Sequence, residues 1–180
     1  AKRLISTIPL KELVKALDTP KDIRKASKEL DYNQVAIIGL ALKKNAPKQH
    51  WIYVPDKDIA FHRYAWISNY SPKNSPSGES TIIAEVTLPP NAKANIKELT
   101  NKVVADLEKL NVLKQDEILF TKAWLHEYGY PIYKIGHREK REVIMKWLKE
   151  QNIISVGRWG NWHYWNMDKT YEEVLKMMPK

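Results

Sequence analysis

The sequence predicts an α+β fold: an antiparallel sheet of about five strands flanked by helices, followed by a C-terminal strand-turn-helix. Three observations predict it. Four β-branched or aromatic runs crowd residues 35–88 with short connections between them. Apolar residues at spacings of three and four fill the stretches 96–110 and 137–151. The segment 153–180 then passes from an apolar run through a glycine-arginine turn into an amphipathic stretch.

Near the N-terminus, "IPLKELVKAL" carries Pro9 in a first turn and Leu10, Leu13, Val14 and Leu17 on one face, which predicts a short helix ending near Asp18. Thr19 before Pro20, with Asp22 three positions after the threonine, reads as the start of a second helix over 20–30. Hydroxyl and carboxylate would satisfy orphan backbone amides there. The runs "QVAIIGLALKK", "HWIYVP", "FHRYAWIS" and "STIIAEVTL" predict four strands. Short connections favour pairing them in order, as a meander. "NYSPKNSPSGES" between the last two is a polar, proline-bearing loop.

Asn95 with Glu98 opens a helix whose Ile96, Leu99, Val103, Leu107 and Leu110 form one apolar stripe. "EILFTKAWLHEY" predicts a fifth strand of the same sheet. A helix from about His137 to Gln151 would bury Ile144, Trp147 and Leu148, and "IISVGR" would be a short buried strand ending at Gly157. Asp168 would cap a last helix with Tyr171, Val174, Leu175 and Met178 facing inward. The domain reading is 1–152, an α+β domain, and 153–180, the strand-turn-helix.

Composition narrows the function classes. With 180 residues, 43% of them hydrophobic, the chain can bury a core. Lys and Arg exceed Asp and Glu by 30 to 21, a formal charge of +9 that attracts anions. The lysines are scattered, however, as on a solvated surface, and a polyanion groove is not indicated. Cysteine is absent, which removes disulfides, thiolate metal sites and a cysteine nucleophile and predicts a cytoplasmic protein. Apolar runs such as "VAIIGLAL" are far shorter than a membrane span. The start at Ala1, without an initiator methionine, suggests a processed or excised piece.

His50, His62, His126, His137 and His163 show no HxxxH or HExxH spacing, so no metal site is expected. There is no GxSxG turn, and no GxGxxG or Walker pattern runs through Gly39, Gly78, Gly129, Gly136, Gly157 and Gly160. No residue is singled out as catalytic. The densest chemistry is "GRWGNWHYWNMD", Gly157 to Asp168. Gly157 would let backbone approach a phosphate, Arg158 would donate to it, and free amides at 169–171 would favour negative charge on a ligand. A turn, an aromatic core cluster and an ordinary Asp cap account for the same residues.

That segment resembles the C-terminal signature of the flavin-dependent amine oxidase, protoporphyrinogen oxidase and UDP-galactopyranose mutase superfamily, GRxGxxxYxNMD. "STIPLKELVKAL", "HWIYVPDKDIAFHRYAWISNYSPKNSPSG" and "YPIYKIGHREKREVIMKWLKEQNIISVGRWG" are similar to other stretches of it, so the resemblance covers nearly the whole chain. It implies that Gly157 and Arg158 lie at the pyrophosphate and ribityl part of FAD, with Met167 and Asp168 bringing a helix start to the flavin pyrimidine edge. It also implies that the sheet of residues 35–88 and 118–130 is a substrate-binding domain over the flavin, with Trp51, Tyr53, His62, Arg63 and Tyr64 as candidate lining residues for a small-molecule substrate.

The family's GxGxxG unit, which holds the ADP half of the cofactor, is not in this sequence. The resemblance therefore implies the C-terminal part of a flavoprotein, with an upstream segment or partner chain bearing GxGxxG. FAD would be held weakly or not at all by this chain alone, and activity alone is not expected. Two other readings stand beside it. One is a nucleic-acid-binding or protein-interaction module in which Trp159, Trp162, Trp165, His163 and Tyr164 stack bases, which no known binding motif supports. The other is a domain that keeps the fold without activity.

Overall fold

A computed structural model of the chain describes residues 2–177. In order the elements are β1 (Leu4–Ser6), α1 (Leu10–Ala16), α2 (Lys21–Lys28), β2 (Asp31–Leu42), β3 (Trp51–Tyr53), β4 (Arg63–Trp66), β5 (Ser80–Leu88), α3 (Ile96–Lys109), β6 (Ile118–Ile132), α4 (His137–Glu150), β7 (Ile153–Ser155), α5 (Gly157–Gly160) and α6 (Met167–Met177). They fall into two compact units, Ala1–Tyr32 with Tyr130–Lys180, and Asn33–Gly129. The boundary expected at 152/153 lies inside the first of these.

The 33–129 unit is built on a five-stranded antiparallel sheet of order β3-β4-β5-β2-β6. The expected four-strand meander holds for β3, β4 and β5 only, because β2 skips β3 and pairs with β5. Its ladder runs from Gln34↔Leu88 to Leu42↔Ser80. The reason is length: β5 matches nearly all of β2, whereas three-residue β3 would leave most of its hydrogen-bonding groups unpaired. Alternation sends Ala36, Ile38, Leu40 and Leu42 of β2 and Ile82, Ala84 and Val86 of β5 to one face. There they pack with Phe61, Trp66 and the Val103 and Leu107 stripe of α3. Asn95 caps α3 as its sequence predicts, accepting from the amides of Lys97 (3.2 Å) and Glu98 (3.3 Å), while its side-chain amide donates to Glu98 (2.7 Å).

In the other unit α1 and α2 pack together, and α4 packs against α2 and β7 through Ile144 and Leu148. Here four expectations need correction. Thr19 does not cap α2: Pro20 takes the cap position, and the buried Thr19 hydroxyl points back to the Val14 carbonyl at 3.4 Å. The apolar "LIS" forms an additional strand, β1, that pairs in parallel with β7 from Leu4↔Ile153 to Ser6↔Ser155. The last helix begins at Met167, one residue before the expected Asp168 cap, since the Thr170 amide bonds the Asn166 carbonyl at 2.9 Å. Nor does the expected face of α6 turn wholly inward, although Val174 is half-buried. Tyr171 is 69% and Leu175 58% exposed, because nothing among the described residues covers that side of the helix, and Met178 lies outside the described residues. No described helix is long and apolar enough to cross a membrane.

Candidate functional site

Two features of the 1–32/130–180 unit bring the predicted turn and helix tip together. The first is the turn after β7. Gly157 has φ +87°, a left-handed conformation that L side chains rarely adopt, and a Cβ built on it would meet no atom within 4 Å. Glycine is needed there for the backbone, and the space beside it is open. The turn is then locked from behind. Ser155 Oγ donates to the Gly160 carbonyl at 2.8 Å, Asn161 is fully buried and donates to the Ser155 carbonyl at 3.2 Å, and Arg141 Nε donates to the Asn161 carbonyl at 2.7 Å.

The second feature is Arg158. Its Nη1 donates to the Trp165 carbonyl at 2.8 Å, and its guanidinium lies 4.5 Å from the Tyr164 ring centroid and 5.6 Å from that of Tyr130. No carboxylate pairs with it among the described residues, so donors remain for a ligand. Arg158, Trp165, Asn166, Met167, Thr170, Tyr171 and Val174 line one groove of about 750 Å³. Arg158 and the start of α6 therefore open on the same space. The amides left without an intrahelical acceptor are those of 167–169, two positions earlier than the sequence suggests. Asp168 stands exposed in the first turn of α6, where it stabilises the helix and offsets part of its positive end.

Behind the turn sits a ring cluster. Tyr133 Oη and His163 Nδ1 are 3.2 Å apart, the His137 and His163 ring centroids are 6.3 Å apart, and His163 stacks on Trp165 at 4.8 Å. Burial, then Arg141 and then His137 push His163 down to about 4, so its imidazole is neutral at pH 7. Trp162 is fully buried with φ +53°, set edge-on to Tyr32 and Trp159. That burial removes it from the set of five rings offered for base stacking.

In the 33–129 unit the register sorts the five candidate lining residues. Trp51 pairs Ala65, Ile52 pairs Tyr64 and Tyr53 pairs Arg63, so alternation puts Trp51, Tyr53 and Arg63 on the face opposite the core. Tyr64 points the other way, edge-on to Phe61 and packed against the core; it does not share that open face. His62 precedes β4 and is partly buried. Its Nδ1 has no hydrogen-bond partner among the described residues, and burial followed by the Arg63 charge lowers its pKa. Arg63 forms a near-buried ion pair with Glu85 at 2.6 Å and lies 4.3 Å from the Trp51 ring centroid.

Sequence reasoning missed Glu85 and Trp124. A lone acid inside the apolar run "IIAEVTL" is the signal that finds Glu85. Trp124, on β6, is partly exposed on the open face, its ring against Gly39. The run "ILFTKAWLHEY" does not alternate cleanly, which hides its facing.

Together these features carry the fold of the flavin oxidoreductases to which the motif is similar. No protein-family model matches the sequence. Among solved structures the chain is similar to a reduced UDP-galactopyranose mutase, with 25% identity and a TM-score of 0.86 over 99% of this chain and 42% of that one. It is also similar to a protoporphyrinogen oxidase from Exiguobacterium sp. 255-15, with 17% identity and a TM-score of 0.73 over 98% and 42%. A redesigned putrescine oxidase shares 13% identity with a TM-score of 0.52 over 76% and 33%. The chain thus spans 42% of the length of the first two relatives.

Proposed function

We propose that this chain is the substrate-binding and flavin-capping portion of a FAD-dependent oxidoreductase, working with a GxGxxG-bearing segment or partner chain that holds the ADP half of the cofactor. The observation that carries the reading is the groove at Arg158: a guanidinium without a carboxylate partner among the described residues and a helix start open on one space, beside a glycine with room at its Cβ position. Such a site fits an anionic, flat-ringed group. In this reading Arg158 bonds the phosphate or ribityl part. Gly157 lets the backbone come close, and the amides of 167–169 favour electron density at the ring edge of the flavin. When bound, the flavin supplies hydride transfer, while these residues supply position and field.

Support for the missing partner comes from β1 and β7. They form a parallel sheet of two strands, and Leu4 and Ile5 are 44% and 45% exposed. Parallel strands are ordinarily buried on both faces within larger sheets, so this pair has the form of an incomplete sheet. The open face with Trp51, Tyr53 and Arg63 would receive the substrate.

The test is to express the chain together with a GxGxxG-bearing polypeptide, fused or as a partner, and measure bound-flavin absorbance. Retained flavin, lost about tenfold or more in affinity with Arg158→Ala and partly restored by Arg158→Lys, is the expected outcome. Flavin uptake indifferent to Arg158, or no uptake by any such assembly, would overturn the reading.

A further inference from the structure

We propose that Arg141, on α4, is a positioning residue for the groove: it fixes the chain reversal at Asn161 and Trp162 that folds the Trp165 carbonyl back onto Arg158. The inference rests on the flavin reading of that groove and adds a residue that lies outside its lining. Arg141 is half-buried in the second turn of α4, and no carboxylate pairs with it among the described residues; neighbouring Glu142 is held by Arg138 at 2.7 Å. Burial, the largest influence on its pKa, lowers it. Withdrawing a guanidinium from water without an acid beside it is unfavourable. What it meets there is two oxygens of one residue: Nε donates to the Asn161 carbonyl at 2.7 Å, and Nη2 reaches Asn161 Oδ1 at 3.4 Å.

The Asn161 carbonyl belongs to the peptide that joins Asn161 to Trp162. Trp162 has φ +53°, a left-handed conformation that is an outlier for so bulky a side chain. Rotation of that peptide would relieve the strain, so a donor aimed at its oxygen holds the conformation in place. An apolar side chain of the same volume would fill the space and leave the carbonyl without a donor from α4. Asn161, fully buried, is pinned from two other directions: Nδ2 donates to the Ser155 carbonyl at 3.2 Å, and the backbone amide donates to the Gly157 carbonyl at 2.9 Å.

Beyond Trp162 the chain returns to the glycine-arginine turn. The His163 amide donates to the Arg158 carbonyl at 2.9 Å, and the Trp165 carbonyl accepts from Arg158 Nη1 at 2.8 Å. The returning segment therefore holds Arg158 at both its backbone and its guanidinium. Contacts run without a break from Arg141 through the 161–162 peptide and residues 163–165 to Arg158. A fork is needed as well as a charge, because a lysine ammonium has no fixed planar geometry to match two oxygens of one residue.

The experiment uses the chain assembled with a GxGxxG-bearing polypeptide and FAD as the probe, in Arg141→Met, Arg141→Lys, Arg158→Ala and the Arg141→Met/Arg158→Ala double variant. FAD affinity should fall about tenfold in Arg141→Met and by less in Arg141→Lys. Because Arg141 acts through Arg158, the double variant should bind no more than about threefold weaker than Arg158→Ala alone. Losses that multiply, or an affinity untouched by Arg141→Met while Arg158→Ala weakens it, sink this inference and leave the flavin reading standing. Should Arg141→Met fail to fold, Arg141→Lys combined with Arg158→Ala closes the same cycle. Hydrogen exchange gives a readout that needs no flavin: the amides of Asn161 and His163 should exchange several-fold faster in Arg141→Lys, with those of α3 unchanged. Unchanged exchange at both positions overturns the hold whatever flavin does. FAD uptake indifferent to Arg158 overturns the flavin reading, and exchange at the two amides then decides the hold by itself.

Discussion

His163 shows how one side chain ties packing to pH. Its ring is stacked on Trp165, meets Tyr133 Oη, and has Arg141 and His137 as neighbours that oppose a proton, against a smaller pull from Glu173. The folded imidazole titrates at about 4, against 6.5 ordinarily. Between those values the unfolded chain binds a proton that the folded chain refuses. Stability therefore falls as pH drops from about 6.5 toward 4 and is unaffected by this group above that window. Unfolding midpoints measured across pH 4–7 should show that slope, and His163→Gln should flatten it. Glu85 poses a different case, because removing one partner of a near-buried pair leaves the other charge with less compensation. Glu85→Ala should lose about 3–5 kcal/mol in urea titration, and Glu85→Gln, which keeps an acceptor for Arg63, should lose less.

The elements divide by how local their causes are. Asn95 and Glu98 make their cap within three residues, and the α3 stripe repeats over a few turns, so both are legible in the sequence. Asn95→Ala should destabilise by about 1 kcal/mol and Asn95→Gly by a few tenths, read from thermal unfolding. Strands β2 to β6 are legible as strands for the same reason, but their order is not. Whether β2 sits beside β3 or β5 depends on matching a long ladder to a partner almost forty residues away. The strand β1 escapes notice because three residues carry no periodicity, and its partner β7 lies at the opposite end of the chain. Tyr171 and Leu175 show the reverse error. Their spacing marks a face made to be covered, and a sequence cannot say whether the cover is in the same chain. At the site, the glycine-arginine turn and the helix tip were legible as a motif. The facing of Tyr64 against that of Trp51 became clear only with the register.

At the scale of the molecule, the core of the 33–129 unit is sealed between one face of its sheet and α3. Ile38, Leu40, Ile82 and Leu107 are fully buried, and Ile38→Ala should cost about 2–5 kcal/mol in chemical denaturation. The other unit is assembled from both chain ends, Ala1–Tyr32 and Tyr130–Lys180, around the β1–β7 pairing. On a ribosome the two halves of that pairing emerge far apart in time, whereas the strands and helix of the 33–129 unit follow one another out of the exit tunnel ahead of β7. The inserted unit is thus free to reach its native pairing before β7 emerges, while β1 waits for its partner strand until then. Nascent chains stalled at about position 165, with β7 still inside the tunnel, should therefore hold a protease-resistant 33–129 unit and a cleavable segment around β1, and that segment is where a chaperone would be needed.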